Sequence, residues 1–152
     1  MVDPIPADYP QVIPYLMVDG AEAAIAFYRD VFGATERMRL PAPGDRIGHA
    51  EIEIGSSVVM LADEFPEMDQ VTPQRLGGTP VTIMVYVEDV DTVFARAVAA
   101  GATERRAVED QFYGDRAGEF EDPFGHRWFV ASHVEDIPDD EMARRAAEAM
   151  SG

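Results

Sequence analysis

Gly33-Ala34-Thr35-Glu36-Arg37 recurs as Gly101-Ala102-Thr103-Glu104-Arg105, 68 residues further along a chain of 152. A second echo follows each copy, Gly44-Asp45-Arg46-x-Gly48 and Gly114-Asp115-Arg116-x-Gly118, 70 residues apart. Each copy closes at a further glycine, Gly55 and Gly125, again 70 apart. Two echoes in one order at nearly one offset signal an internal duplication. A site in such a chain is expected between the halves.

Outward from the first copy, Ala24, Ile25, Tyr28, Val31 and Phe32 fall at helical spacing within residues 21–32, and Gly33 supplies the stop. Residues 12–18 read as an apolar strand, edged or bulged by Pro14, after an extended proline-rich arm over residues 1–11. Strands are expected at 35–40, 47–54 and 58–62, with a turn at 41–44. In the second of these, Ala50, Ile52 and Ile54 alternate with His49, Glu51 and Glu53. Residues 64–79, with Pro66, Pro73 and Gly77-Gly78, read as a linker. The pattern then restarts: a strand at 81–87, a helix at 90–100, and strands at 103–108, 116–121 and 127–132, with a loop at 110–113. After Pro138, residues 139–150 form a short amphipathic helix whose Met142, Ala146 and Met150 make a stripe expected to pack on the body or on a partner subunit. The expected fold class is α+β: two tandem βαβββ modules, about 11–63 and 80–133, within a single domain over 1–152. Their eight strands are expected to form a cup-shaped mixed sheet.

Composition narrows the chemistry. There is no cysteine and no lysine; all twelve basic residues are arginine, against 29 acids, for a net charge of −17. Thiolate sites, disulfides and lysine-based covalent chemistry are excluded by inventory. The acidity disfavours nucleic acid and anionic membranes and favours cationic small molecules. With no apolar stretch long enough to span a bilayer, a cytoplasmic location is expected. No nucleophile elbow or phosphate loop is present.

Pro14-Tyr15-Leu16-x-x-Asp19-Gly20, followed by Ala26-Phe27-Tyr28-x-x-Val31-Phe32-Gly33, resembles the opening of a vicinal oxygen chelate protein. So do Val87-Glu88-Asp89-Val90-Asp91 and Phe120-x-Asp122-Pro123-x-Gly125-x-x-Trp128 in the second half. This is the glyoxalase, bleomycin-resistance and dioxygenase superfamily, and the likeness is greatest to its PhnB-like branch. The resemblance implies paired βαβββ modules, a cup-shaped sheet and frequent homodimers. In the enzymes it also implies a divalent metal held by His, Glu or Gln on four strands. Those places fall here on Ile13, Val59 or Met60, Thr82 and Phe129, and none of these is a usual ligand. No metal or other cofactor is therefore expected at the usual positions, and no residue is assigned a catalytic role.

The cup lining expected from strand alternation is Tyr15, Met17, Met84, Tyr86, Arg127, Phe129 and His133, with His49, Glu51, Glu119 and Glu121 facing the same space. An offset of 70 relates Glu51 to Glu121 and His49 to Glu119. Arg127 is expected to pair with Glu119 or Glu121, or else to bind an anionic group. Tyr113, beside Phe112, lies in a loop that either closes over a ligand or plugs an interface. A lining of Met, Tyr and Phe suits flat or greasy ligands. The leading expectation is binding of a small aromatic or cationic molecule by a homodimer without the usual metal site. The alternative is a lyase, isomerase or dioxygenase with a metal relocated to His49, Glu51, Glu119 and Glu121.

Overall fold

Residue 33 closes the first helix as its sequence predicts: Gly33 sits at φ 70° and its N–H reaches the Arg29 carbonyl. From that stop the chain turns into the first antiparallel ladder. A computed structural model describes residues 1–152. In chain order the elements are β1 (Tyr15–Val18), α1 (Ala21–Phe32), β2 (Thr35–Ala42), β3 (Arg46–Ile54), β4 (Ser57–Asp63) and α2 (Pro73–Leu76). There follow β5 (Thr82–Tyr86), α3 (Val90–Ala99), β6 (Thr103–Asp110), β7 (Asp115–Glu121), β8 (Arg127–His133) and α4 (Asp139–Ser151).

The eight strands form two four-stranded mixed sheets, ordered β1-β4-β3-β2 and β5-β8-β7-β6. In each, the first strand runs parallel to the last and the remaining pairs are antiparallel. The α+β class and the two tandem βαβββ modules are as expected. The chain divides into two compact units, residues 1–80 with 123–126, and residues 81–122 with 127–152.

In the first unit α1 lies on β3 and β4. Ala24, Ile25, Tyr28 and Val31 are buried with Leu16, Val18, Ile52 and Leu61. Phe124 completes that core edge-on to Phe27, with centroids 6.2 Å apart. In the second unit α3 covers β6, β7 and β8, and Phe94 meets Phe120 edge-to-face at 5.8 Å. Trp128 is buried there, its indole N–H donating to Asp122 Oδ2 at 2.9 Å. Burying each of these large side chains contributes about 1.5–3 kcal/mol.

Several boundaries differ from the sequence expectations, each for a local reason. The first strand begins at Tyr15, not residue 12, because Pro14 has no N–H to carry the ladder upstream; its carbonyl still accepts from Met60 N at 2.9 Å. The strand expected at 35–40 continues through Pro41 to Ala42, with a register shift at Leu40/Pro41, so the turn moves to Pro43-Gly44-Asp45. The linker contains a 3-10 turn, Pro66–Met68, and the four-residue α2. Thr72 caps α2 by accepting from Arg75 N, Pro73 opens it, and Gly77 ends it at φ 87°. Four residues are too few to show a period in sequence. No helix is long and apolar enough to cross a membrane.

Candidate functional site

Register decides which side chains share a face. In the first sheet Tyr15 pairs with Met60, Met60 with Glu51 and Glu51 with Met38. These four form one rung on the face away from α1, because Leu16, Ala50, Ile52 and Leu61 fill the buried face. In the second sheet the corresponding rung is Met84, Phe129, Glu119 and Arg106. The next rung is Thr82, Arg127, Glu121 and Thr103.

These rungs correct the symmetry expected from the 70-residue echo. Met38 faces Glu51 as Arg106 faces Glu119, and Thr35 faces Glu53 as Thr103 faces Glu121. Every one of these positions is displaced by 68. The counterpart of Glu51 is therefore Glu119, that of Glu53 is Glu121, and that of His49 is Ala117. The Gly-Asp-Arg echo misleads because its two copies occupy different places in their ladders. Asp45 sits in the turn at φ 59°, whereas Asp115 already pairs with His133 inside the sheet.

The open face of the first sheet carries a continuous hydrogen-bonded chain. Tyr9, from the N-terminal arm, donates to Glu51 Oε1 at 2.7 Å. Glu51 Oε2 meets His49 Nε2 at 2.8 Å, and His49 Nδ1 meets the Tyr15 hydroxyl at 2.7 Å. Glu51 is only 4% exposed. Burial pushes its carboxyl up, but the hydrogen bonds from His49 and Tyr9 outweigh that and hold it below the ordinary value. An ionised Glu51 only accepts, so His49 presents Nε2–H to it; in the neutral ring Nδ1 then accepts from Tyr15. The Tyr15 phenol is pushed up by burial and by the Glu51 charge. Arg37 secures the arm, lying 4.6 Å from the Tyr9 ring centroid and 3.5 Å from Glu53.

The second sheet carries a different cluster at its far end. Tyr86 donates to Asp115 Oδ2 at 2.8 Å, and His133 Nδ1 meets Asp115 Oδ1 at 2.8 Å. His133 Nε2 meets Asp136 Oδ1 at 2.7 Å. With a carboxylate on each ring nitrogen, His133 donates from both, and these bonds raise its pKa. Tyr113 stands beside this cluster, its phenol raised by burial and then by the Asp115 charge. It also meets Phe112 edge-on, with centroids 5.2 Å apart.

The expected residues thus fall into two sets, one on each sheet. Tyr15, Met17, His49 and Glu51 belong to the first; Met84, Tyr86, Tyr113, Glu119, Glu121, Arg127, Phe129 and His133 belong to the second. Tyr15, Met84 and Tyr86 are 45%, 41% and 61% exposed. Pairing of Arg127 with Glu119 or Glu121 is not found. Glu121 faces Arg105 and Glu119 faces Arg106, each at 3.8 Å, and Arg127 Nε is buried without a hydrogen-bond partner. The bulge between Glu104 and Arg106 turns Arg105 onto this face, where it takes the carboxylate.

A divalent ion does not fit the positions that the resemblance implies. Met60 and Phe129 have no oxygen or nitrogen to offer, Thr82 only a hydroxyl, and their rung neighbours are Tyr15, Met84 and Arg127. No three His, Asp or Glu side chains converge on one point. Of the relocated set, Glu51 is engaged by Tyr9 and His49, and Glu119 and Glu121 by arginines.

Sequence reading missed Tyr9, Asp115 and Asp136. Asp115 lay inside the repeated Gly-Asp-Arg, just ahead of the strand expected at 116–121, so its place in the sheet and its burial were not signalled. Nothing local marks Tyr9, whose partner lies 42 residues away, whereas Asp136 stands only 3 residues from His133.

A profile described as Glyoxalase/Bleomycin resistance protein/Dioxygenase superfamily matches residues 10–130. An uncharacterised protein of Mycobacterium bovis is 46% identical over 136 residues, which cover 88% of this chain and 90% of that one. Protein PA1353 from Pseudomonas aeruginosa superposes with a TM-score of 0.69 at 25% identity, covering 83% of this chain and 99% of that one. TioX from Micromonospora sp. ML1 gives a TM-score of 0.62 at 27% identity over 85% of this chain and the whole of that one. The PhnB protein from Bacillus cereus gives a TM-score of 0.63 at 19% identity over 81% of this chain and 99% of that one, which shows a common fold.

Proposed function

The chain belongs to the glyoxalase/bleomycin resistance protein/dioxygenase superfamily, and from that premise we propose that it binds a small aromatic or cationic molecule without the superfamily's usual metal. One observation carries the reading. At the rungs where a metal enzyme needs lone-pair donors, the open faces present Tyr15 with Met60 and Met84 with Phe129. Thioethers and aromatic rings hold ligands by contact and stacking, not by chelation. On the first sheet Glu51 stands beside Tyr15 and Met60, and the net charge of −17 favours a cation there.

The test is thermal stabilisation of the chelator-treated protein by a panel of aromatic amines and neutral aromatics. Stabilisation by members of the panel, weakened about tenfold in apparent affinity by Phe129→Ala or Met84→Ala, is expected. If no compound stabilises the protein while one divalent ion binds tightly and is needed for ligand binding, the reading fails and a metal enzyme takes its place.

The reading includes a cytoplasmic homodimer. Each sheet ends in edge strands without neighbours in that sheet, β1 and β2 in one, β5 and β6 in the other. No residue of α4 is buried, and Met150 on its stripe is exposed. Light scattering that returned the mass of one chain would remove the dimer from the proposal.

A further inference from the structure

We propose that Arg127 recognises the carboxylate of an aromatic acid whose ring lies against Phe129 and Met84 on the open face of the second sheet. The inference rests on the reading of that face as a binding surface and selects among its aromatic ligands.

The starting point is an unsatisfied group. Arg127 Nε is shut away from solvent and has no hydrogen-bond partner. A buried guanidinium N–H without an acceptor is costly, and native structures rarely leave one. Scarcity of acids cannot explain it, since the chain has 29 acids for twelve arginines. The other arginines of comparable burial are paired: Arg37 with Glu53, Arg39 with Glu22 and Glu36, Arg116 with Asp91 and Asp110, Arg145 with Glu135 and Glu141.

The neighbours then specify the missing acceptor. Glu121 is the cross-strand partner of Arg127, yet its carboxylate faces Arg105. Glu119, one rung away, faces Arg106. Three guanidinium groups stand against two carboxylates on these two rungs, a local excess of one positive charge. That excess matches a monoanion such as a carboxylate; a dianion would leave an uncompensated negative charge on an already acidic chain. Thr82, paired with Arg127 across the parallel ladder, adds a hydroxyl donor to the same rung. Two residues along each strand, Met84 and Phe129 supply the apolar contact for a ring attached to the carboxylate. A planar guanidinium beside an aromatic surface is suited to a planar arylcarboxylate.

The experiment follows the Arg127 Nε–H resonance of the whole protein while benzoate, benzamide and benzylamine are titrated separately. Benzoate is expected to shift that resonance downfield and to bind at least tenfold more tightly than benzamide, which has the same shape and no charge. Arg127→Met should abolish the preference for benzoate, and Arg127→Lys should retain part of it. Because Arg127 has no partner, Arg127→Met should melt at the wild-type temperature or above. A clearly lower melting temperature would reveal a structural partner and overturn the proposal. Equal affinity for benzoate and benzamide, or tighter binding of benzylamine, would overturn it while leaving the surface a site for aromatics. Absence of binding by all three probes would overturn it together with the function on which it rests.

Discussion

His133 shows how much a single side chain gains from its neighbours. Its ring lies between Asp115 and Asp136, and hydrogen bonds to the two carboxylates raise its pKa above the ordinary 6.5. Stabilisation from such a group is complete below the unfolded value and is lost as pH rises through the folded one. The bridge fastens the segment before α4 to β7, so the same pH rise should loosen residues 134–138. The melting-temperature gap between the wild type and His133→Ala is therefore expected to be widest below about pH 6.5 and to close in the alkaline direction. A gap that widened with pH would mean that the neutral ring, not the imidazolium, makes the contact. Glu51 follows the opposite rule, since its folded pKa is lowered and its contribution is lost only in acid. Sequence reading placed His49 and Glu51 correctly on one face by alternation. It could not foresee that Tyr9 would cross 42 residues to cap the carboxylate, because hydrogen-bond partners that distant leave no local pattern.

The elements repeat a device that the pentapeptide echo did not reveal. At the end of β4, Asp63 Oδ1 accepts from Gly20 N and Ala21 N, each at 2.8 Å, and Oδ2 accepts from Ile47 N at 2.7 Å. At the end of β8, Ser132 Oγ accepts from Val90 N at 3.0 Å and donates to the Val87 carbonyl at 2.7 Å. Asp63 and Ser132 are 69 residues apart, as are Ala21 and Val90. In both units the last strand thus holds the helix that follows the first strand by N–H groups at its start that have no partner within the helix. The carboxylate serves three donors where the hydroxyl serves one. Asp63→Ala should accordingly destabilise by about 2–3 kcal/mol and Ser132→Ala by about 1 kcal/mol. Hydrogen exchange checks this: amides of residues 20, 21 and 47 should lose protection in the first variant, while in the second the loss should centre on residue 90. Equal effects would mean that the cap geometry, not the charge, carries the anchor. Helices and strands were legible because alternation and glycine stops are local. The offset was not, since it is 69 along β1, falls to 68 along β2 and β3, and returns to 69 along β4 because the β7–β8 turn is the longer one. A count of identical residues fixes repetition but not register.

For the whole molecule, charge sets a competition whose outcome can be argued from distances. Exposed pairs such as Arg144 with Glu141 and Glu148, and Arg116 with Asp91 and Asp110, contribute little each and weaken in salt. Against them stand seventeen acids in excess of the arginines, spread over 9276 Å² of surface and so about 23 Å apart on average. That spacing lies inside the screening length of roughly 30 Å at 0.01 M salt and outside the roughly 8 Å at 0.15 M. Repulsion among the excess acids is long-ranged and is removed first; the pairs, at about 3 Å, persist until salt is far higher. The melting temperature should therefore rise between about 0.01 and 0.15 M sodium chloride and change little beyond that. The apparent affinity for an aromatic amine should fall across the same interval, because the field that attracts it is the field that destabilises the fold. That of an aromatic acid should rise. A melting temperature that fell over the first interval would show that the surface pairs outweigh the net charge. The acidity would then have to be explained by ligand attraction alone.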